Sequence, residues 1–381
     1  GDYRGYGDLT PKVLDYILFT SRDRGGNELA TVTADINGNL FRLPAGPVAF
    51  AAGAVYRKEK GWRDPDPLTV LGVANTNQQD PISGSSTAKE AYFELSVPVL
   101  ANTLFFKALT IDGAVRYSNY DLFGSDWNYK LSADWVVSDG IRLRGTYGTG
   151  FRVPNVPELF GGVSEGNLTT TDPCSRYAQS GNATLIANCR ASGVPANYVQ
   201  LGSTILTTSG GNQKLRPESS TSWTIGTVLQ PRTLVPGLSL TADWFDIDIK
   251  DAIRTIPGST KLAVCYASAN LSHPFCGDFT RSPLTGEVTY LSAQPINTGR
   301  EQMNGLDLGL VYERRIGAVA LTVDLNATYL NKYVVMPFAG AEPIVFDGFI
   351  GGGKRRRHRN LVDAMDRQGD RFQREAGPDR L

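Results

Sequence analysis

The sequence of 381 residues holds few groups suited to covalent chemistry. Histidine is the usual proton carrier near neutral pH, and the chain has 2, His273 and His358. Serines and aspartates are common, but a nucleophile, a base and an orienting acid must work as a set. His273 stands alone in a cysteine-bearing loop, so no such set emerges and no enzyme is expected. Gly348 to Lys354 spells G-x4-G-K, most of a phosphate-cradling loop. The next residue is Arg355 where magnesium needs Ser or Thr, and no helix-forming run opens there. Arg355-Arg356-Arg357-His358-Arg359 carries charge suited to nucleic acid or anionic lipid. In this context it reads as a solvated or mistranslated tail, and no nucleic-acid partner is expected.

Binding chemistry offers more. Asp243, Asp246 and Asp248 supply oxygens for calcium, but no Gly-bearing ligand loop surrounds them. They read as wall charges facing water, and neither metal nor cofactor is expected. The four cysteines fall as two local pairs, Cys174 with Cys189 and Cys265 with Cys276. Neither spacing matches a zinc knuckle. The pairs fit disulfides in an oxidising compartment, with free loop thiols as the alternative. Arg142, Arg144 and Arg152 are spaced as a basic ladder for an anionic substrate; the competing reading pairs them with carboxylates of a domain plugging the interior and of neighbouring strands. Phe160, Tyr177, Tyr198, Tyr266 and Phe275 lie in loops, where they either stack on a sugar or aromatic chelate or pack the loops on one another.

The elements that position these residues are strands. From Ile141 the text alternates: Ile141, Leu143, Gly145, Tyr147, Thr149 and Phe151 share one face, Arg142, Arg144, Thr146, Gly148 and Gly150 the other. A period of two marks a β-strand. One face is apolar and ends in aromatics, while the other carries arginines that need water or counter-charges. Pro154 and Pro157 then stop the strand. The same alternation runs through Ala30–Ile36, Val48–Tyr56, Phe93–Val99, Leu109–Tyr117, Trp127–Trp135, Trp223–Leu229, Leu238–Trp244, Leu306–Tyr312 and Val319–Tyr329. A loop of about thirty residues is expected after Tyr56. At Trp244-Phe245 the apolar phase flips, which reads as a β-bulge or as the strand leaving a bilayer. Glu287 to Leu291 is expected to be an extramembrane β extension, and Pro11 to Phe19 a short amphipathic helix.

These segments make about ten strands, and every second link is short while the others run up to roughly sixty-five residues. Tyr117, Tyr120, Trp127, Trp135, Tyr147, Trp223, Trp244, Tyr312, Tyr329 and Tyr333 sit near the ends of apolar rows, as interfacial girdles do. Net charge is +0, which gives no global pull toward a polyanion. No apolar run approaches the ~18 residues of a membrane helix, but barrel strands hide their apolar residues by alternation. The fold expected is all-β, an antiparallel transmembrane barrel. Residues 1–28 are expected to be a loop and short helix entering the barrel, 29–333 the barrel, and 334–381 an unassigned tail. The text from Gly351 has no alternation and suggests a frameshift or truncated reading frame.

Gly150-Phe151-Arg152-Val153-Pro154 with Glu158-Leu159-Phe160 resembles the "GFRAP…EL" signature of TonB-dependent outer-membrane receptors. Gly211-Asn212 with Leu215, Pro217 and Glu218 resembles their "GN…LxPE" motif, and Asn297 with Gly305 and Asp307 their "N…G(I/V)(D/E)" pattern. The run Asp243 to Ile249 resembles the strand ending in alternating Ile. The resemblance covers about residues 12–333, and the two cysteine pairs are similar to those of a proteobacterial subgroup. It implies a barrel of about 22 strands around an N-terminal plug. A nutrient such as an iron-siderophore, cobalamin or an oligosaccharide would bind outside and be imported. The TonB-ExbB-ExbD complex would supply energy through the plug's TonB box, and outer-membrane lipid would surround the wall. The implied location is the bacterial outer membrane. This sequence shows neither plug nor TonB box and fewer than half the strands, so it is expected to be a fragment. Specificity is expected in loops 152–218 and 251–298. A passive porin or structural barrel is the alternative.

Overall fold

The computed structural model describes residues 10–346 except 75 and 339. The frameshift expected from Gly351, the G-x4-G-K run, the basic run and His358 lie outside the described residues. Alternating text forms long strands: β1 Arg24–Leu43, β2 Gly46–Asp64, β3 Ile82–Thr103, β4 Phe106–Tyr120, β5 Gly124–Ser138 and β6 Ile141–Arg152. Two short strands follow, β7 Ser164–Thr169 and β8 Thr204–Ser209, then β9 Glu218–Leu229 and β10 Leu238–Thr255. The chain continues through β11 Phe279–Arg281, β12 Val288–Ser292, β13 Pro295–Ile316, β14 Val319–Met336 and β15 Ile344–Val345. Helices are few and short: α1 Pro11–Ile17, α2 Pro67–Val70, α3 Val156–Phe160, α4 Ala183–Ala191 and α5 Gly258–Ala267.

Among the described residues the strands form two sheets. The wall is 11-stranded, in the order β1-β2-β3-β4-β5-β6-β9-β10-β13-β14-β15, and every pairing is antiparallel. The second sheet is 4-stranded, β11-β12-β8-β7, and is built wholly from the two longest loops.

Register places the apolar rows on one continuous face. Ile36 pairs with Ala52, Ala52 with Phe93, Phe93 with Val115 and Val115 with Tyr129. The next row carries Leu131, Tyr147 and Trp223. These side chains are not sealed in a core: Val32 is 67%, Ile36 62%, Ile225 58% and Leu325 59% exposed. A soluble sheet hides such residues, so a face of this kind needs lipid. The opposite face is polar and internally paired. The Arg144 guanidinium donates to Asp243 at 2.7 and 2.6 Å. Arg142 binds Asp134, Arg116 meets Glu90 at 2.7 Å, and the Tyr92 hydroxyl donates to Asp35.

Tight turns close one end of the wall. The link from β13 to β14 turns at Gly317, whose φ of +60° suits a residue without Cβ. Several strands are longer than alternation alone suggested. β2 runs to Asp64 and β3 starts at Ile82, so the link after Tyr56 is much shorter than expected. Strand pairing there outlasts the apolar pattern, because above the bilayer both faces meet water and period-two contrast vanishes. The same reason settles the phase flip. β10 keeps unbroken register with β9 and β13 from Leu240 to Lys250, so there is no bulge at Trp244-Phe245. The irregularity falls instead at Asp251, with φ +54°. The β structure expected over Glu287 to Leu291 outside the membrane is Val288–Ser292, β12 of the second sheet.

Candidate functional site

Four strands cross the rim of the wall at one place, and most of the motif residues meet there. β6 ends at Arg152, because Pro154 lacks an N–H for the ladder. The Arg152 guanidinium donates to Glu218 at 3.0 and 2.7 Å and to Glu158 at 2.9 Å. Glu158 is placed by the first turn of α3. Its backbone N–H donates to the Asn155 side chain at 2.8 Å, and its carboxylate accepts from the Asn155 N–H at 2.8 Å. This reciprocal capping fixes a helix too short to hold itself. Leu159 beneath it is buried.

The second motif returns to the same spot. The Asn212 N–H donates to the Glu158 carbonyl at 2.8 Å, and its side-chain amide to the Pro295 carbonyl at 2.9 Å. Gly211 passes so close that an added Cβ would lie 2.4 Å from the Leu159 carbonyl oxygen. Leu215 is buried, and beyond Pro217 the Glu218 carboxylate also accepts from the Ile253 N–H at 2.6 Å. Asn297 accepts from the Arg216 N–H at 2.7 Å and donates to the Arg216 and Asp251 carbonyls at 2.8 Å each. Phe151 packs edge-on against Tyr120, with centroids 5.7 Å apart. Gly305 and Asp307 lie apart, lower in the wall. Gly305 faces the Tyr329 carbonyl and the Phe245 ring, where a Cβ would sit 2.5 and 2.8 Å away. Asp307 accepts from the Thr328 hydroxyl at 2.7 Å.

The rim clasp carries one body. Loops 152–218 and 251–298 are not two separate loops. β12 lies parallel to β8 through Leu291 and Thr207. Around this sheet Tyr177, Tyr198, Ile205, Leu262, Tyr266 and Leu291 form a buried core. Both cysteine pairs are disulfides, Cys174–Cys189 with Cα atoms 5.7 Å apart and Cys265–Cys276 with 5.1 Å. α4 is tied to the chain around α5 by Asn188, whose amide donates to the Tyr266 and Ser268 carbonyls at 2.9 and 2.8 Å. Tyr177, Tyr198, Tyr266 and Phe275 are therefore packing residues and are not open to a stacking ligand. Phe160 packs over Gly84 of β3.

A buried ion pair joins the two halves. Arg281 donates to Asp172 at 2.6 and 2.7 Å, with side-chain exposures of 6% and 1%. Tyr198 donates to Asp172 at 3.1 Å, and the Arg281 Nε to the Tyr266 hydroxyl at 2.6 Å. Burial, reinforced by the Asp172 charge, holds the Tyr198 phenol well above the ordinary tyrosine range. Burial opposes the Arg281 charge, but Asp172 outweighs it and the guanidinium stays ionised. Lys261 is buried too, donating to Asp278 at 2.7 Å and to the Ser292 carbonyl at 2.8 Å. No sequence motif pointed to Asp172, Asn188, Lys261 or Arg281, because each acts across a long separation.

The basic ladder does not present free charge. Arg142, Arg144 and Arg152 are all paired with carboxylates. Asp243, Asp246 and Asp248 diverge, toward Arg144, Asn304 and Arg300 respectively. Among the described residues no cluster of acidic, His and Cys side chains fits a metal ion.

A sheet with apolar rows outward, ion pairs inward, tight turns at one end and a folded loop body at the other is the wall of a transmembrane β-barrel. The chain belongs to the TonB-dependent receptor family: residues 2–369 match the model of the TonB dependent receptor-like β-barrel. Members of this family reside in the bacterial outer membrane and are transporters rather than enzymes. A variant of the ferric enterobactin receptor PfeA of Pseudomonas aeruginosa aligns with a TM-score of 0.53 at 16% identity, over 82% of this chain and 38% of that one. The siderophore receptor PirA of Acinetobacter baumannii aligns at 0.47 and 17%, over 81% and 40%. The chain thus spans about two fifths of the length of these receptors.

Proposed function

We propose that the chain is the wall and loop portion of an outer-membrane receptor that binds a scarce nutrient and imports it with energy from the inner membrane. The observation that carries this reading is the single loop body, disulfide-held and clasped to the rim at Arg152, Glu158, Glu218 and Asn297. A passive pore needs no such platform, whereas selective capture needs rigid, preorganised loops. The ligand classes are an iron-siderophore, cobalamin or an oligosaccharide, and specificity lies on the exposed surface of loops 152–218 and 251–298. Solved receptors of this fold include ones for ferric enterobactin, which makes iron chelates the first to test. The TonB-ExbB-ExbD complex would act through a plug in the lumen. The bacterial outer membrane would supply lipid to the apolar face. In this reading the wall takes in residues 29–333 together with the strand ends that flank them, from Arg24 and on to Val345.

Uptake of labelled candidate ligands by cells carrying the full-length gene, with and without the energy complex, tests the proposal. Saturable uptake that stops without the complex is expected. Uptake that persists unchanged without it would refute the active mechanism.

A further inference from the structure

The wall is not sealed between β5 and β6. The two strands pair from Ser138–Ile141 up to Lys130–Gly148 and no further. Yet β5 runs on to Gly124 against β4, and β6 runs on to Arg152 against β9. The ladder between the two leaves therefore ends at Gly148, and farther up Phe151 packs on Tyr120, 5.7 Å between centroids. Between these limits is a window. At its lower edge the Thr149 hydroxyl stands in for a ladder partner, accepting from the Tyr129 N–H at 3.0 Å and donating to the Asn128 side-chain oxygen at 3.3 Å.

The window is polar and hollow. A cavity of about 180 Å³ fills it, lined among others by Asn128, Thr149, Ser219, Ser220 and Thr221. A second, of about 220 Å³, adjoins it on the inner face and shares Asn128, Tyr129 and Thr149. The Asn128 amide nitrogen is buried and has no hydrogen-bond partner. A buried unpaired donor is costly and calls for an explanation. On the outer side, Trp127 and Tyr129 flank the opening and are 60% and 52% exposed. From Ser138 up to Trp127 the strand climbs ~28 Å along the barrel axis, at ~3.3 Å per residue and ~40° tilt. That is the upper edge of an apolar band ~25 Å tall.

We propose that this window binds a single sugar unit, the headgroup of a glycolipid in the outer leaflet. Neutral hydroxyls and an amide supply both donors and acceptors, as a polyhydroxyl group requires. Asp126, Asp248 and Lys250 also line the cavity, and Asp248 is held by Arg300, so the lining offers no surplus positive charge and a phosphate alone gains little. The outward rings present apolar faces to the C–H face of the sugar at the height where headgroups lie. The proposal rests on the wall spanning a membrane, not on which nutrient is imported, so uptake and lipid binding fail separately.

Full-length receptor in nanodiscs tests it. Three probes are compared by native mass spectrometry and tryptophan fluorescence: lipopolysaccharide, its acyl-free core oligosaccharide, and sugar-free phosphatidylglycerol. Binding of lipopolysaccharide is expected to weaken about tenfold in Asn128→Leu/Thr149→Val. If that variant fails to fold, as judged by heat-modifiable migration, the exposed-ring variants Trp127→Leu and Tyr129→Leu replace it, with the same loss expected. Stronger binding of the lipid-linked form supports the glycolipid headgroup. Equal binding of the free oligosaccharide overturns the lipid source, and binding no better than phosphatidylglycerol, or unchanged in the variants, overturns the site.

Discussion

Asp172→Ala removes the counter-charge on which the loop body turns. Its carboxylate receives two bonds from Arg281 and one from Tyr198, at 2.6, 2.7 and 3.1 Å, and is 1% exposed. Without it Arg281 keeps only the Tyr266 hydroxyl and the Gly286 carbonyl, both neutral acceptors. Breaking a buried pair from one side costs about 3–5 kcal/mol. A loss of about 4 kcal/mol raises local opening of the body by roughly a thousandfold, at ~1.4 kcal/mol per tenfold. Hydrogen exchange on the native receptor reads this directly. Peptides over 172–200 and 258–292 should lose protection while wall peptides from β2 and β3 keep theirs. Asp172→Ala/Arg281→Met should recover much of the loss, because no unpaired charge remains. Unchanged protection in the single variant would refute the reasoning, and so would loss spread evenly through wall and loops.

Three further outcomes follow from the same geometry. Cys174→Ser/Cys189→Ser frees a link of sequence separation 15, and should cost the loop body about 3 kcal/mol, read as earlier proteolytic cleavage within 172–200. Leu131→Arg puts a charge on the 56% exposed outward row; it should destabilise insertion into vesicles by about 1–3 kcal/mol, between the bilayer midplane and its upper interface, whereas Ser132→Arg on the inner face should change little. Tyr198, its phenol raised by burial and by Asp172, should stay protonated beyond the ordinary value of about 10. A raised folded value means that its stabilisation is intact below the ordinary value and is lost progressively as pH climbs from there through the folded value, which ultraviolet titration of wild type against Tyr198→Phe measures.

The wall was legible in the sequence because lipid imposes a simple contrast. Val32, Ile36, Leu131 and Ile225 had to alternate with polar neighbours, since one face meets hydrocarbon and the other meets water. The contrast fades where strands rise out of the bilayer, which is why β2 and β3 outran their apolar text and why Phe245, Ile247 and Ile249 changed face without a bulge. The loop body was illegible for a different reason. Its core joins Tyr177 and Tyr198 to Leu262 and Leu291, and its sheet pairs β8 with β12 across the wall strands β9 and β10. Local pattern carries no trace of such pairing. The cysteines marked the region as held together, but each disulfide closes within its own loop. The contacts that fuse the loops are Asn188 to Tyr266 and Asp172 to Arg281, ordinary residue types at unremarked positions.

The motif residues answer a physical problem that every such wall shares. A strand leaving a sheet gives up ladder partners, and the freed backbone groups need others. Pro154 ends the ladder with no N–H to satisfy. Asn155 and Glu158 cap the turn that follows. Gly211 lets the returning chain touch α3, and Asn212 and Asn297 offer amides that bridge carbonyls on separate strands. Arg152 then draws both exit and re-entry together through Glu158 and Glu218. The partners these side chains take all belong to the rim itself. On the proposed reading the motif fixes where the loop body stands and how firmly, and the choice of ligand falls to the surface that the clasp holds up. Arg152→Gln should accordingly loosen the body in hydrogen exchange and weaken capture of every ligand tested by a similar factor. A change in preference between ligands would mean that Arg152 itself reads the ligand.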